Sequence, residues 1–304
     1  MNVGDRREYG SGLAVVTVTY WPGTSLGEFL ESLSKATERP YKVVLADNGS
    51  TDGAPEAAVA AHADVELLRI GENIGYGAAA NRAIAGLDPE VGWVVVANPD
   101  IVWLPGALDE LLAAGESWPR AAALGPLIRE PSGAVYPSAR LLPSLLRGTG
   151  HAVLAKVWPA NPATRAYRQS DTDVVERTAG WLSGSCLLLR RSALDSVDGF
   201  DPRYFMYFED VDLGDRLGKA GWLNVYVPSS EVIHTGGHAT EANPAVSRRM
   251  LAEHHRSAYR YLADRHPGLR WAPLRAALRL GLKARAAWLT RRSQPSGACT
   301  TLAR

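Results

Sequence analysis

Residues 14–20 read AVVTVTY, a β-branched run without a polar interruption, so the stretch is expected to form a strand buried on both faces. Shortly after it comes Ser25-Leu26-Gly27-Glu28, the spacing of a capping box, which predicts a helix over about 26–36. Apolar runs return at 42–46 (KVVLA), 65–70 (VELLRI) and 93–97 (WVVVA), separated by helix-like stretches at about 54–61 and 77–86. Alternation of short strands with helices predicts a mostly parallel α/β sheet. In such a sheet ligands gather beyond the carboxyl ends of the strands. Those ends read Tyr20, Asp47-Asn48-Gly49-Ser50, Asn73-Ile74-Gly75 and Asn98-Pro99-Asp100, polar and carboxylate-bearing as a nucleotide pocket requires.

Further along, 137–173 is rich in Pro and Arg and reads as variable loop with room for one helix. The run SCLLLRR (185–191) reads as a strand, as does 224–227, and 246–262 as a helix. Pro267-Gly268 then breaks the chain before a basic helical segment at 274–292, and 293–304 is expected to be a disordered end.

The 304 residues are 46% hydrophobic and 21% charged, enough to bury a sizeable core. Net charge is only +1, which gives no reason to expect nucleic acid as a partner. That mean hides an asymmetry, because nine basic and no acidic residues follow Asp264, leaving the rest of the chain at −8. An anionic partner is expected for that segment. Two cysteines, Cys186 and Cys299, make no disulfide framework and point to a reducing compartment. With no apolar leader and no apolar run long enough to span a bilayer, the expected place is the cytoplasm or the inner face of a membrane.

Four constellations carry chemistry. Asp47 stands at a strand end, where a carboxylate can accept a hydrogen bond from a pyrimidine N3–H; an Asx turn capping a helix accounts for the same residues. Asn98-Pro99-Asp100 follows a strand expected to be central, and one carboxylate there can share a hard cation with a diphosphate. Glu209-Asp210-Val211-Asp212 follows the aromatic run Phe205-Met206-Tyr207-Phe208 and opens a helix with Leu213, Leu217 and Ala220 on one face. A helix N-terminus favours an ionised carboxylate by about 0.3–1 kcal/mol, so a base there is expected to be deprotonated. Last, His234-Thr235-Gly236-Gly237-His238 cannot lie on a helical face, which favours one metal ligand over two. A competing pattern exists: Gly75-Tyr76-Gly77-Ala78-Ala79-Ala80 fits the G-x-G-x-x-A of dinucleotide-binding oxidoreductases, although two strands precede it.

Taken together, VVTVTY, LADNGSTDG, ENIGYGAAAN, NPD and above all FDPRYFMYFEDVDLGDRLGKAGW resemble the inverting family-2 glycosyltransferases. The resemblance implies a GT-A fold, Rossmann-like with a mostly parallel sheet, over 13–240. It leaves 241–292 as a C-terminal helical, basic, membrane-proximal extension. It also implies that Asp47 contacts the base beside Thr19 and Tyr20, that Asn73 and Asn98 line the donor site, and that Asp210 is the general base. Asp100 and His234 would hold Mg2+ or Mn2+. Asn98 stands where the family's D-x-D motif has its first acid, which leaves Asp100 as the direct ligand. The Asn-Pro-Asp variant is similar to the rhamnosyltransferase branch, whose donor is dTDP-L-rhamnose. A branch that builds cell-wall linkers, including that of arabinogalactan, takes a lipid-diphosphate-linked sugar as acceptor at the inner membrane surface. Other donors, a sugar nucleotidyltransferase or a non-catalytic sugar-nucleotide module share parts of this pattern.

Overall fold

The computed structural model describes residues 10–143, 174–236 and 244–292. The chain divides into two compact units, Met1–Gly237 and His238–Arg304. The first contains β1 (Gly12–Thr19), α1 (Ser25–Ala36), β2 (Tyr41–Asp47), α2 (Ala54–Ala61), β3 (Val65–Arg69), α3 (Tyr76–Ala85), β4 (Val91–Ala97), β5 (Ile101–Trp103), α4 (Ala107–Ser117) and β6 (Ala121–Arg129). It continues with β7 (Val135–Tyr136), β8 (Ala139–Arg140), β9 (Arg177–Ala179), β10 (Trp181–Leu182), β11 (Cys186–Arg190), α5 (Arg191–Asp195), α6 (Glu209–Lys219) and β12 (Leu223–His234). The second holds α7 (Pro244–Asp264), a 3-10 turn at Leu269–Trp271 and α8 (Ala272–Arg292). Residues 144–173 and 293–304, for which loop and disorder were expected, lie outside the described residues.

The main sheet runs β3-β2-β1-β4-β11-β6-β12-β5. The strands β3, β2, β1 and β4 are mutually parallel, while β11 is reversed between β4 and β6. The GT-A sheet is thus mostly parallel, and β4 is central. Chain order reverses between β1 and β4, so the crevice lies beyond Thr19 and Ala97.

Strict alternation explains why the central strands must be apolar throughout. Leu13, Val15, Val43, Leu45 and Val95 join Phe29 and Leu33 of α1 in one layer. Ala14, Val16, Val44, Ala46 and Val94 join Ala79, Ala83 and Ile84 of α3 in the other. Phe29 and Leu33 are wholly buried, each worth roughly 1.5–3 kcal/mol of transfer energy.

Two expectations fail locally. The capping box does not form, because Ser25 already lies inside α1 and its hydroxyl donates to the Pro22 carbonyl (2.5 Å). The strand β6 (AAALGPLIR) is absent from the strands expected from the sequence. It tolerates Pro126 because β11 pairs only with Ala123 and Leu124, so that partner has ended before the missing N–H is reached.

The segment that leads into α6 is locked onto the start of α3. The Asn81 side chain accepts the Phe200 N–H (2.9 Å) and donates to the Phe200 carbonyl (2.7 Å). Tyr76 N–H donates to the Phe205 carbonyl at 3.0 Å. Gly75, at φ 96°, lets these backbones meet, since a Cβ there would stand 2.4 Å from the Phe205 carbonyl oxygen. Beyond this clasp Tyr207 and Phe208 both take left-handed backbone angles (φ 65° and 67°), a strain of about 1–3 kcal/mol apiece that the surrounding packing must hold. The turn they make starts α6 at Glu209.

Gly75→Ala is expected to destabilise the fold by about 1–3 kcal/mol in urea unfolding. Gly86→Ala, where a Cβ meets nothing closer than 3.5 Å, should fall within about 0.5 kcal/mol of wild type. Equal effects would show that the clasp carries no load.

Candidate active site

On one side of the crevice stands Asp47, buried at the end of β2. Its carboxylate accepts hydrogen bonds from the Thr19 hydroxyl (2.9 Å), the Ser50 hydroxyl (2.5 Å) and the N–H groups of Gly49 and Ser50. The turn chemistry foreseen as an alternative is therefore present, and it fixes the carboxylate. Thr19 is fully buried, so it orients Asp47 and faces no open surface. Tyr20 is exposed and stacks on Trp21 with ring centroids 4.6 Å apart. Trp21, at φ 53°, is tied back through its N–H to the Ser50 hydroxyl (3.0 Å). Sequence reasoning missed Trp21, and an aromatic pair directly after a strand end was the signal. Asn73 is spent on the loop: its side-chain oxygen accepts the Gly75 N–H (3.1 Å) and is reached by Asn48 Nδ2 (3.4 Å).

A second corner is built by strand register. The pairing of β12 with β5 sets His234 opposite Ile101, the residue after Asp100. His234 Nε2 consequently lies 3.1 Å from Asp100 Oδ1 and 3.3 Å from Asn98 Nδ2. One ring nitrogen cannot serve both. When it accepts from Asn98 it has no proton for Asp100, and the buried Oδ1 is left without a hydrogen-bond partner. An orphaned carboxylate oxygen beside an imidazole lone pair is a donor set that fits Mg2+ or Mn2+. Among the described residues no three His, Cys, Asp or Glu side chains converge on a metal. His238, the other histidine of the motif, lies outside the described residues.

The third corner is the head of α6. Asp210 receives the Gly184 N–H on Oδ2 (2.9 Å) and the Val211 N–H on Oδ1 (2.8 Å). Asp212 pairs with Arg216 (2.6 Å) and Asp215 with Lys219 (2.8 Å), which keeps both out of the crevice. Glu209 is buried, and its Oε2 has no partner. Burial, followed by the charge of Asp210, pushes Glu209 up to about 8. Burial raises Asp210 as well, against the backbone donors that favour its ionised form. The helix terminus therefore does not by itself depress the Asp210 carboxyl, contrary to expectation, because desolvation outweighs it. The proton in this pair stays on Glu209, which has one backbone donor, its own N–H, against three for Asp210.

Gly184 joins the corners, and no motif marks it beyond Ser183-Gly184-Ser185 between two strands. Its N–H holds Asp210, and its carbonyl accepts the Tyr76 hydroxyl (2.8 Å). The neighbouring Ser185 carbonyl accepts the Asn98 N–H (2.9 Å). Burial and the nearby acids keep Tyr76 protonated, as that donation needs. The competing dinucleotide pattern is explained by the same contacts. The first N–H of α3 is taken by Phe205, and a Cβ at Gly77 would meet the Phe200 side chain at 2.8 Å, so these glycines seat a protein segment.

A sequence model of the family described as Glycosyltransferase like family 2 matches residues 11–255. The chain belongs to that family. It is a glycosyltransferase, and its relatives agree. The N-acetylglucosaminyl-diphospho-decaprenol L-rhamnosyltransferase of Mycobacterium tuberculosis (strain ATCC 25618 / H37Rv) is 59% identical over 290 residues, spanning 92% of this chain and 94% of that one. Rhamnosyltransferase WbbL of Escherichia coli (strain K12) is 29% identical over 256 residues, with 82% and 92% covered. The fold is similar to that of a mannosyltransferase from Pyrobaculum calidifontis in complex with GDP-Man and Mn2+, at TM-score 0.53 and 18% identity, covering 97% and 79% of the two chains.

In this glycosyltransferase the folded state keeps a proton on Glu209 that the unfolded chain loses above pH 4.5. Stability should thus fall as pH rises from 4.5 to about 8. Glu209→Gln removes that titration, so its Tm should change less than that of wild type across the same window. Parallel Tm–pH curves would contradict the raised Glu209.

Proposed function

We propose that the enzyme transfers L-rhamnose from dTDP-L-rhamnose to a polyprenyl-diphosphate-linked N-acetylglucosamine, inverting the anomeric carbon. The observation that carries the chemistry is Asp210, fixed by two backbone N–H groups at the crevice and, with its acidic neighbour holding a proton, free to accept one. The choice of sugar and acceptor is supported by the 59% identical relative, whose name specifies both L-rhamnose and a diphospho-decaprenol-linked N-acetylglucosamine.

In this reading Asp47 receives the pyrimidine edge while Tyr20 and Trp21 offer it a flat apolar surface. Asn98, Asp100 and His234 face the donor diphosphate. Asp100 and His234 would hold a divalent cation, which would supply positive charge against the leaving diphosphate. Asp210 takes the proton of the acceptor hydroxyl as that oxygen attacks from the face opposite the diphosphate. The new glycosidic bond forms as the bond to the diphosphate breaks, and the nucleoside diphosphate leaves with the electron pair.

The second unit supports a place at a membrane surface. Among the described residues no helix is long and apolar enough to cross a membrane. Leu269 and Leu280 are nonetheless 90% and 69% exposed, among arginines 265, 270, 275, 279 and 285. A groove of about 510 Å3 between α7 and α8 is lined by Tyr259, Arg275, Arg279 and Leu280. Each basic residue near an anionic leaflet contributes on the order of 1 kcal/mol. Apolar and basic residues are interspersed around α8 and are not segregated onto one face. The 3-10 turn is the more exposed apolar feature.

The enzyme, dTDP-L-rhamnose, a short-chain N-acetylglucosamine diphosphate ester and Mg2+ or Mn2+ should together release dTDP. Excess EDTA should abolish release, and full activity in EDTA would remove the cation from the reading. Asp210→Asn should cost roughly 10²–10⁴ in turnover while donor-induced thermal stabilisation persists. Near-normal turnover would take Asp210 out of the mechanism.

A further inference from the structure

Near the base lies an arginine to which no carboxylate is hydrogen-bonded among the described residues. Arg140 and Ala139 of β8 pair with Trp181 and Leu182 of β10 in a small ribbon apart from the main sheet. The Arg140 guanidinium carbon is 5.4 Å from the centroid of the Tyr136 ring and 5.4 Å from that of Trp181. Its Nε donates to the Pro137 carbonyl at 2.6 Å. Among the described residues Nη1 and Nη2 have no protein acceptor, and no carboxylate pairs with the side chain. Two aromatic rings and one carbonyl thus fix a planar cation and leave one edge of its fork open. That edge matches the paired oxygens of a phosphate, and the fixed side chain loses little entropy when it binds.

The ribbon is tied directly to the head of α6. The Gly180 N–H donates to the Arg140 carbonyl (2.9 Å), and Trp181 Cβ packs so closely on Gly214 that a Cβ there would stand 2.8 Å away. Three residues beyond Trp181, Gly184 holds Asp210. The charge of Arg140 is felt at Asp210, whose ionised form it favours.

We propose that Arg140 binds the diphosphate of the acceptor, through Nη1 and Nη2. The inference rests on the functional reading above, in which the acceptor carries its reacting hydroxyl and its diphosphate on one sugar. A hydroxyl delivered to Asp210 brings that diphosphate to the Asp210 side of the crevice. The donor diphosphate is served by Asn98, Asp100 and His234, across the 183–185 turn. Arg140 is then a specificity residue, which selects sugars activated by a charged ester.

Steady-state kinetics on Arg140→Gln and Arg140→Lys, with dTDP-L-rhamnose and a short-chain N-acetylglucosamine diphosphate ester, test the assignment. Arg140→Gln should raise the KM for that acceptor roughly 10- to 100-fold, the loss expected for a hydrogen bond to a charged group. The KM for dTDP-L-rhamnose and the Tm should stay at wild-type values, and Arg140→Lys should recover part of the acceptor affinity. A rise confined to the donor KM would assign Arg140 to the donor diphosphate instead. A fall in kcat and Tm with both KM values unchanged would make it structural, and no change at all would make it a solvated cation; each result overturns the proposal. Absence of dTDP release by the wild-type enzyme would count against the functional reading itself, so the two failures are separable.

Discussion

The peptide of Gly184 is the constraint on which the site depends. Its N–H fixes Asp210, its carbonyl fixes Tyr76 at the start of α3, and the next carbonyl fixes Asn98 at the end of β4. Three segments distant in sequence are thereby set at one spacing. Any side chain at this position would press on Asp210, because a Cβ would stand 3.2 Å from the Asp210 Cβ. The clasp between α3 and residues 199–208 supports the same arrangement from the other side. It delivers the strained pair Tyr207-Phe208, and so the head of α6, to the crevice.

Electrostatics give the two acidic corners different work. At the end of β4 one imidazole nitrogen lies between an acid and an amide and can serve only one of them, which leaves a buried carboxylate oxygen without a hydrogen-bond partner. At the head of α6 two adjacent acids lie in a dry environment, where desolvation resists a second charge. The acid with more backbone donors carries the charge, and the one with fewer keeps the proton. Asp212 and Asp215 are removed from this competition by their partners on the next turn of the helix.

Much of this was legible in the sequence because it follows from local rules. The gap-free β-branched run at 14–20 demands burial on both faces, and both layers are present. Asn98-Pro99-Asp100 and Glu209-Asp210 occupy element ends, where polar residues cannot be explained by packing. The rest depends on pairings that no single segment encodes. That His234 meets Asp100 is a consequence of the register between β12 and β5, and β5 is only three residues long. The glycines of 75–77 match a phosphate-binding pattern because close backbone approach requires glycine whether the neighbour is a phosphate or Phe205. Trp21 and Arg140 gave no periodic signal at all, since each is placed by a turn or a two-residue ribbon.

In the proposed single displacement, with Asp210 as the base and the diphosphate leaving from the opposite face, no covalent sugar forms on the protein. The most direct measurement is the anomeric configuration of the transferred sugar, read from one-bond C1–H1 couplings in the purified product and compared with that of the donor. Single displacement predicts the opposite configuration in every product molecule. A product that retains the donor configuration would contradict the account, because it would require a nucleophile where Asp210 is placed as a base.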